Sequence, residues 1–267
     1  MRRSLLFVVL LAATPFAPAF AGGIDGSPDT SFSGNGVLSW TDGGSVVVWD
    51  VATNSTGAYA VGHITLAGEE AALHFKGYNH GGGALDQGCA QASDTLFTLA
   101  TSSVGHAGMI DSSGNLVVGG YAAFLGTETT PRVLVTRFDL SGPGCSLDDS
   151  FSGNGWAIFD DETWCDTEEC RVIDLVEIRP ETGAVLAPRI VALVLSRVGV
   201  SAYRLFLLGL TASGAIDGGF DGNGWTEVTA AGIGTLRQHA SLAVDGIGRL
   251  YVLGDRTDPD AAGDYDS

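Results

Sequence analysis

The chain has 267 residues, in which 31 aspartates and glutamates outnumber 13 lysines and arginines and give a formal net charge of −18. A surface this negative is repelled by phosphate backbones and by anionic lipid, which argues against nucleic acid as a partner and against electrostatic attachment to membranes. The length suits one large all-β domain as well as two smaller ones.

The first 21 residues have the pattern of a secretory signal peptide. Arg2 and Arg3 precede an apolar run over residues 5–13, and the small residues at 19–21 suit a signal peptidase. The run is shorter than the ~20 residues of a membrane-spanning helix, so a membrane anchor is the weaker interpretation. We therefore expect cleavage after Ala21. The remaining repeat domain, residues 22–267, is then expected to be secreted, periplasmic or at the cell surface, without membrane insertion.

An eight-residue motif recurs along the chain and indicates a repeat architecture. It reads Asp-Thr-Ser-Phe-Ser-Gly-Asn-Gly at residues 29–36, and close copies occupy residues 148–155 and 217–224. A degenerate copy begins at Asp86, with Cys89 in the position of the motif Phe. The units thus begin near residues 29, 86, 148 and 217, about sixty residues apart, which suits a four-stranded repeat. The residues expected to have a structural role in the motif are Phe32, Phe151, Phe220, Gly36, Gly155 and Gly224.

A second signature within the units predicts β-hairpins. Residues 54–57, 111–114 and 245–248 share Asp or Asn, two variable residues and Gly, and a β-rich run follows each of them. The Asp or Asn side chain can accept hydrogen bonds from the following backbone, and Gly accepts the positive φ of a tight turn. Residues 180–183 form a looser version in the third unit.

Strand-forming composition then places β-strands along all four units. The predicted strands are residues 36–40, 45–52, 58–65, 71–78, 96–100, 105–110, 116–123, 132–138, 156–159, 171–178, 189–197, 202–210, 225–229, 240–244 and 250–254. Glycine, with 39 residues, interrupts nearly every window long enough for a helix.

These strands predict an all-β fold, with a β-propeller-like array of four-stranded repeats as the first choice. The runs at residues 190–195 and 205–210 are apolar without alternation, as expected for strands that are covered on both faces. A pair of β-sandwiches or a stacked linear array is the alternative. Three units are complete and the last has only three strands, so we expect the sequence to be a fragment or a truncated gene product.

The motif resembles the delta-60 repeat of exported bacterial proteins. The pattern of Leu or Ile, Asp, two residues, Phe and then Gly-x-Gly stands at residues 147–155 and 216–224, and the aromatic strand end and turn that precede it stand at residues 136–142. The resemblance implies propeller-like β structure. It implies no common activity, and therefore no catalytic residues. Cys89 and an insertion around residues 165–170 depart from the family pattern.

Four cysteines fit an oxidising compartment and allow three pairings. Cys165 and Cys170 are close in an acidic segment, which predicts a small disulfide-closed loop, and Cys89 and Cys145 would then pair by elimination. Zinc is the alternative, but no His or further Cys stands near Cys165 and Cys170 in the sequence.

Calcium is the one cofactor for which the motif offers candidate ligands. Asp29, Asp148 and Asp217 recur at equivalent places with Asn nearby, and carboxylate and amide oxygens suit a hard cation. The alternative, which repetition favours, is that each Asp caps a turn. No cofactor is otherwise expected.

No catalytic constellation is evident. The five histidines are scattered, and neither a Gly-x-Ser-x-Gly elbow nor a phosphate-binding loop occurs. Among the five tryptophans, which include candidates for stacking on sugars, Trp156 and Trp225 follow Gly-Asn-Gly in equivalent units and are better explained by packing. The sequence thus favours a non-enzymatic, structural or ligand-binding propeller with an unidentified protein or glycan partner. The alternative is a hydrolase or lyase with a site at the mouth of the central channel.

Overall fold

Antiparallel β-sheets make up the protein in the computed structural model, which describes residues 44–79, 85–86, 101–123, 130–141, 145–160, 165, 169–179, 188–198, 202–228 and 236–256. The chain divides into two compact units, Met1–Ser39 and Trp40–Ser267, and the described residues all lie in the second. No helix occurs among these residues, so none of them forms a helix that could cross a membrane. The all-β prediction is confirmed for this part of the chain.

The strands follow one another along the chain in three hydrogen-bonded sheets. The first sheet contains β1 (Ser45–Thr53), β2 (Gly57–Thr65), β3 (Ala71–Asn79) and β4 (Leu85–Asp86). The second contains β5 (Ser102–Ile110), β6 (Leu116–Ala123), β7 (Arg132–Asp139), β8 (Ser146–Leu147) and β9 (Trp156–Phe159). The third contains β10 (Cys170–Ile178), β11 (Arg189–Val198), β12 (Ala202–Thr211), β13 (Trp225–Glu227), β14 (Leu236–Val244) and β15 (Leu250–Arg256).

The predicted strands that fall in the described residues all form, with ends shifted by a few residues. Two of them, the first strands of the third and fourth sequence units, pair with a strand of the preceding unit and not with one of their own. β9, which the repeat assigns to the third unit, pairs with β7 of the second sheet, and β13 pairs with β12. The physical reason is that the motif makes a tight turn, which returns the chain along the strand that it has just left. Each structural unit therefore ends one strand later in the chain than the sequence repeat indicates.

The hairpin turns predicted at residues 54–57, 111–114 and 245–248 form around their Asp or Asn side chains, and residues 180–183 lie outside the described residues. In the turn between β5 and β6, Asp111 Oδ1 accepts hydrogen bonds from the amides of Ser113 and Asn115, both at 2.9 Å. Gly114 follows with a φ of 86°. The same arrangement joins β14 to β15, where Asp245 Oδ1 accepts from two backbone amides. These turns bring the strands on either side of them into antiparallel register.

The second sheet is buried on both faces. Leu116, Val118 and Phe138 pack towards the first sheet, where the rings of Phe75 and Phe138 lie 4.5 Å apart between centroids. Val117, Val133 and Val135, which alternate with that set, pack into a cluster shared with the third sheet. The two sets alternate along β6 and β7, so side chains on both faces of these strands are buried.

The third sheet is also buried on both faces, and the β14–β15 hairpin packs on the face that is turned away from the second sheet. Residues 190–195 of β11 are all buried. Leu193 and Leu205 belong to a cluster that also contains Leu242 of β14, with Leu250 packed against it. Each successive group of strands therefore covers an apolar face of the group before it.

Candidate ligand-binding pocket

A β-bulge interrupts the first strand of each sheet at an equivalent place. The register shifts between Val48 and Asp50 in β1, so that Trp49 is the extra residue. The same shift makes His106 the extra residue in β5 and Ile173 the extra residue in β10. A bulge bends the strand and redirects its side chains. Here all three bulged side chains line one cavity.

Glycine lies opposite two of these bulges and allows the bulged strand to approach. A Cβ atom on Gly62 of β2 would lie 1.8 Å from the carbonyl oxygen of Val47. A Cβ atom on Gly120 of β6 would lie 1.8 Å from the carbonyl oxygen of Val104. No side chain fits at that distance. Glycine is therefore required at these two positions for the bulged strands to approach and form the cavity.

The cavity has a volume of about 950 Å³ and is lined by residues of all three sheets. This volume is within the ~300–1,000 Å³ of small-molecule sites in proteins. Its aromatic, polar and charged lining residues include Trp49, His63, His106, Tyr121, Glu169 and Arg171. Val104, Ile173 and Leu253 add apolar surface.

Four of the lining residues form an aromatic cluster. The ring of Trp49 lies 4.9 Å from that of His106 and 6.5 Å from that of His63, and His106 lies 5.8 Å from Tyr121. Trp49 Nε1 donates a hydrogen bond of 3.3 Å to His63 Nδ1. Although it is held in this way, the side chain of Trp49 remains 54% exposed. The cluster therefore presents a large aromatic surface to solvent.

Burial controls the charge of the two histidines. It lowers the pKa of His106 to about 4, and the neighbouring charges of Arg171 and His63 act in the same direction. Burial also lowers the pKa of His63. His106 Nε2 is buried and has no hydrogen-bond partner within the described part of the chain. At neutral pH His106 is uncharged.

The charged residues of the lining form an ion pair. Arg171 Nη1 donates a hydrogen bond to Glu169 Oε1, and both side chains are partly buried. Because the two charges have opposite signs, the pair adds no net charge to the cavity.

Two aspartates follow the bulges and connect neighbouring strands. Asp50 Oδ2 accepts a hydrogen bond of 2.8 Å from the amide of Gly108, and Asp174 Oδ2 accepts one of 2.6 Å from the amide of Leu242. Burial raises the pKa of Asp174 against the lowering effect of its two backbone hydrogen bonds, and the charge of Asp50 adds to the rise. Both carboxylates are therefore engaged with backbone amides of the next group of strands.

Phe151, in the motif copy at residues 148–155, joins two sheets. It is fully buried in the cluster shared by the second and third sheets. A Cβ atom on Gly214, in the turn after β12, would lie 2.8 Å from its ring. The amide of Ser152 donates a hydrogen bond of 2.7 Å to the carbonyl oxygen of Ser213 in the same turn. The Phe151 ring thus fills the space between the second and third sheets.

Asp148 of the same copy is an ion-pair partner. Its Oδ2 accepts a hydrogen bond of 2.8 Å from Arg137 Nε, and its Oδ1 accepts from the amide and the hydroxyl of Ser150. The Arg137 guanidinium lies 5.0 Å from the centre of the Phe151 ring. Desolvation would raise the pKa of Asp148, but the hydrogen bonds from Ser150 and the charge of Arg137 outweigh it and hold this pKa below its usual value.

The third copy uses the same chemistry with an arginine from another strand. Asp217 Oδ1 accepts a hydrogen bond from the amide of Gly219, and Asp217 Oδ2 accepts from Arg189 Nε. The Arg189 guanidinium lies 5.7 Å from the centre of the Phe220 ring. Arg189 begins β11, whereas Arg137 lies on β7. Asp, Arg and Phe thus form the same cluster in both copies.

Gly155 and Gly224 end the motif with left-handed backbone, at φ of 87° and 94°. A Cβ atom would lie 2.6 Å from Leu147 Cβ in the first case and 2.1 Å from Ile216 Cγ2 in the second. The apolar residue before the motif Asp and the last Gly therefore pack on each other. This contact explains why the two recur together.

The calcium hypothesis remains a prediction. Asp148 and Asp217 are paired with arginines, and Asp29, Phe32 and Gly36 lie outside the described residues. Among the residues that the structure describes, no group of three or more His, Cys, Asp or Glu could hold a metal ion.

The predicted disulfide between Cys165 and Cys170 is present, with 5.6 Å between the two Cα atoms. Cys145 is also disulfide-bonded and buried. Cys89, its predicted partner, lies outside the described residues. A disulfide fits an oxidising compartment.

The cavity residues are the ones that sequence reasoning missed. His63 and His106 look scattered in the sequence, yet the structure brings both into contact with Trp49. One signal was present: a glycine follows the apolar residues of the second hairpin strand at Gly62 and Gly120, opposite the bulges of β1 and β5.

Comparisons of the chain with models of protein families, with curated proteins and with solved structures find no match.

Proposed function

We propose that this chain is an exported, non-enzymatic repeat protein of the propeller type that binds a ligand or partner in the cavity described above. The single observation that carries the proposal is the convergence of the bulges. Trp49, His106 and Ile173 occupy equivalent positions in three first strands, and all line one cavity. In a propeller the blades surround a central channel, where equivalent residues of successive blades come together.

The propeller arrangement and membership of the delta-60 repeat family are parts of this proposal. Two copies of the motif make the same turn, with Asp, Arg and Phe in contact, which supports a true repeat. Successive sheets also cover each other face to face. A crystal structure is the test, and first strands arranged in a row instead of around an axis would overturn the propeller.

Export is supported by the Cys165–Cys170 disulfide and by the pattern of residues 1–21. Expression of the full chain in a bacterium, followed by mass spectrometry of the exported protein, tests it. We expect a mature chain that begins at Gly22. Retention of the intact chain in the cytoplasm would contradict the proposal.

A thermal-shift screen tests ligand binding. A ligand that binds only the folded state raises the melting temperature in proportion to RT ln(1 + [L]/Kd). We expect compounds from a diverse small-molecule library to stabilise the wild type and to lose this effect in Leu253→Trp, because Leu253 lines the cavity and is 75% exposed. Ile247→Trp is the matched control, since Ile247 is 60% exposed and does not line the cavity.

The second candidate is a hydrolase or lyase that uses the same cavity. His63 and His106 line it together, and burial lowers the pKa of both. His106 is the candidate base, because its Nε2 has no hydrogen-bond partner among the described residues, whereas His63 Nδ1 accepts from Trp49 Nε1. Asp50 and Asp174 support this candidate less well, because their carboxylates accept hydrogen bonds from backbone amides. Turnover of chromogenic glycosides or esters that is lost in His106→Gln would favour the enzyme over the binding protein.

A further inference from the structure

The cavity suits an uncharged ligand. Its charged lining residues, Glu169 and Arg171, are paired with each other, so their charges cancel. His106 is neutral above pH 5, since burial lowers its pKa to about 4. Among the described lining residues, an anion or a cation would therefore find no uncompensated charge of opposite sign, and it would lose its hydration on entry.

Trp49 offers a flat apolar surface at this cavity. Its side chain is 54% exposed, although large aromatic side chains bury most of their area when they serve only the core. Contacts with His63 and His106 fix the plane of the ring. The C–H groups on one face of a pyranose ring make a surface of matching size and shape.

Planar polar groups lie in the same cavity. The Arg171 guanidinium has five N–H donors, of which the bond to Glu169 uses one, and Glu169 keeps a second carboxylate oxygen as an acceptor. His63 Nδ1 accepts from Trp49 Nε1, so the proton of its neutral ring is on Nε2 and can be donated. Paired donors and acceptors of this kind match vicinal hydroxyl groups, which both donate and accept.

From these three observations, and resting on the proposed ligand-binding function, we propose that the cavity binds a neutral carbohydrate whose ring stacks on Trp49 and whose hydroxyl groups bond to Glu169 and Arg171. The volume of about 950 Å³ admits a short oligosaccharide, free or at the end of a polysaccharide.

The experiment is calorimetric titration of the full mature chain with two panels of sugars. The first contains neutral di- and trisaccharides of glucose, galactose, mannose and N-acetylglucosamine, and the second contains uronic acid oligosaccharides of equal length. We expect at least one neutral sugar to bind, with a tenfold or larger loss of affinity in Trp49→Ala and a smaller loss in Trp49→Tyr. Tyr251→Ala is the matched control, because Tyr251 is an aromatic residue that is 50% exposed outside the cavity. Circular dichroism checks that each variant is folded.

The outcomes separate this inference from the proposed function. Binding of uronic acids alone, or binding of neutral sugars that is unchanged in Trp49→Ala, would overturn the carbohydrate inference. The absence of binding by any sugar would overturn it as well. In that case the thermal-shift screen with Leu253→Trp decides independently whether the cavity binds another ligand. If a neutral oligosaccharide binds, titration with the polysaccharide that contains it distinguishes the two sources of the sugar by which of them binds more tightly.

Discussion

The carboxylate of Asp174 accepts a hydrogen bond of 2.6 Å from the backbone amide of Leu242, which lies 68 positions away in the sequence. Leu242 belongs to β14, which pairs with β15 and, at Leu236, with β12. The second oxygen of Asp174 accepts from the amide of Leu175. Asp50 makes the equivalent bond to Gly108. An aspartate after a bulge thus connects one group of strands to the next.

Removal of this connection should destabilise the protein. Asp174→Ala leaves the Leu242 amide without its partner, and an unsatisfied buried donor costs about 1–3 kcal/mol. We expect a fall of that size in the free energy of unfolding, measured with urea. Asp149→Ala is the control, because Asp149 is exposed. Equal stability of the two variants would show that the bond between strands contributes nothing.

Stability should depend on pH through His106. Its pKa is about 4 in the folded protein and about 6.5 when unfolded, so the unfolded chain takes up a proton first as the pH falls. The free energy of unfolding is therefore highest above pH 6.5, falls on the order of 3 kcal/mol between pH 6.5 and 4 from this group, and then levels off.

The variant His106→Phe isolates that contribution. It keeps a ring against Trp49 and Tyr121 and removes both the titration and the unpaired Nε2 atom. Chemical unfolding at a series of pH values between 4 and 7 should show a shallower slope for the variant than for the wild type. Identical slopes would mean that His106 is not buried as described.

Three glycine variants should separate backbone strain from steric conflict in the motif. Gly218→Ala meets open space with no positive φ, Gly222→Ala has φ of 84° but open space, and Gly224→Ala has φ of 94° and meets Ile216 at 2.1 Å. A left-handed residue other than Gly costs about 1–2 kcal/mol, and overpacking adds about 1–3 kcal/mol. Melting temperatures should fall in this order, with Gly224→Ala lowest. A Gly224→Ala variant as stable as Gly222→Ala would argue against the close contact with Ile216.

Arg137 should be among the most sensitive charged residues. It is buried, bonds to Asp148 and Ser150, and lies 3.7 Å from Asp111. Arg137→Met leaves these carboxylates without their counter-charge, and the loss of one partner of a buried ion pair costs about 3–5 kcal/mol.

The matched comparison for Arg137 is Arg249→Met. Arg249 also pairs with an aspartate, Asp245, and lies over an aromatic ring, but its side chain is 67% exposed. Exposed ion pairs are screened by solvent, so we expect a much smaller change in melting temperature. Similar losses in both variants would show that burial does not govern the strength of these pairs.

The sequence by itself determined the local structure of this protein. Strands and hairpin turns depend on neighbouring residues, so the turn at Asp111 and the strand Leu116–Ala123 could be predicted with little error. The disulfide between Cys165 and Cys170 was also predictable, because both cysteines are close in the chain. The repeat pattern placed β9 in the wrong sheet, because the pattern does not show which strand the chain pairs with after the motif turn.

Only the tertiary structure decided where the candidate site lies. Trp49 and His106 are 57 positions apart in the sequence, and neither belongs to a recognisable motif. They meet because each is the extra residue of a bulge, which depends on the register between two strands, and because the first two sheets pack face to face. Register and packing arise from contacts between distant residues, so no local pattern encodes the cavity.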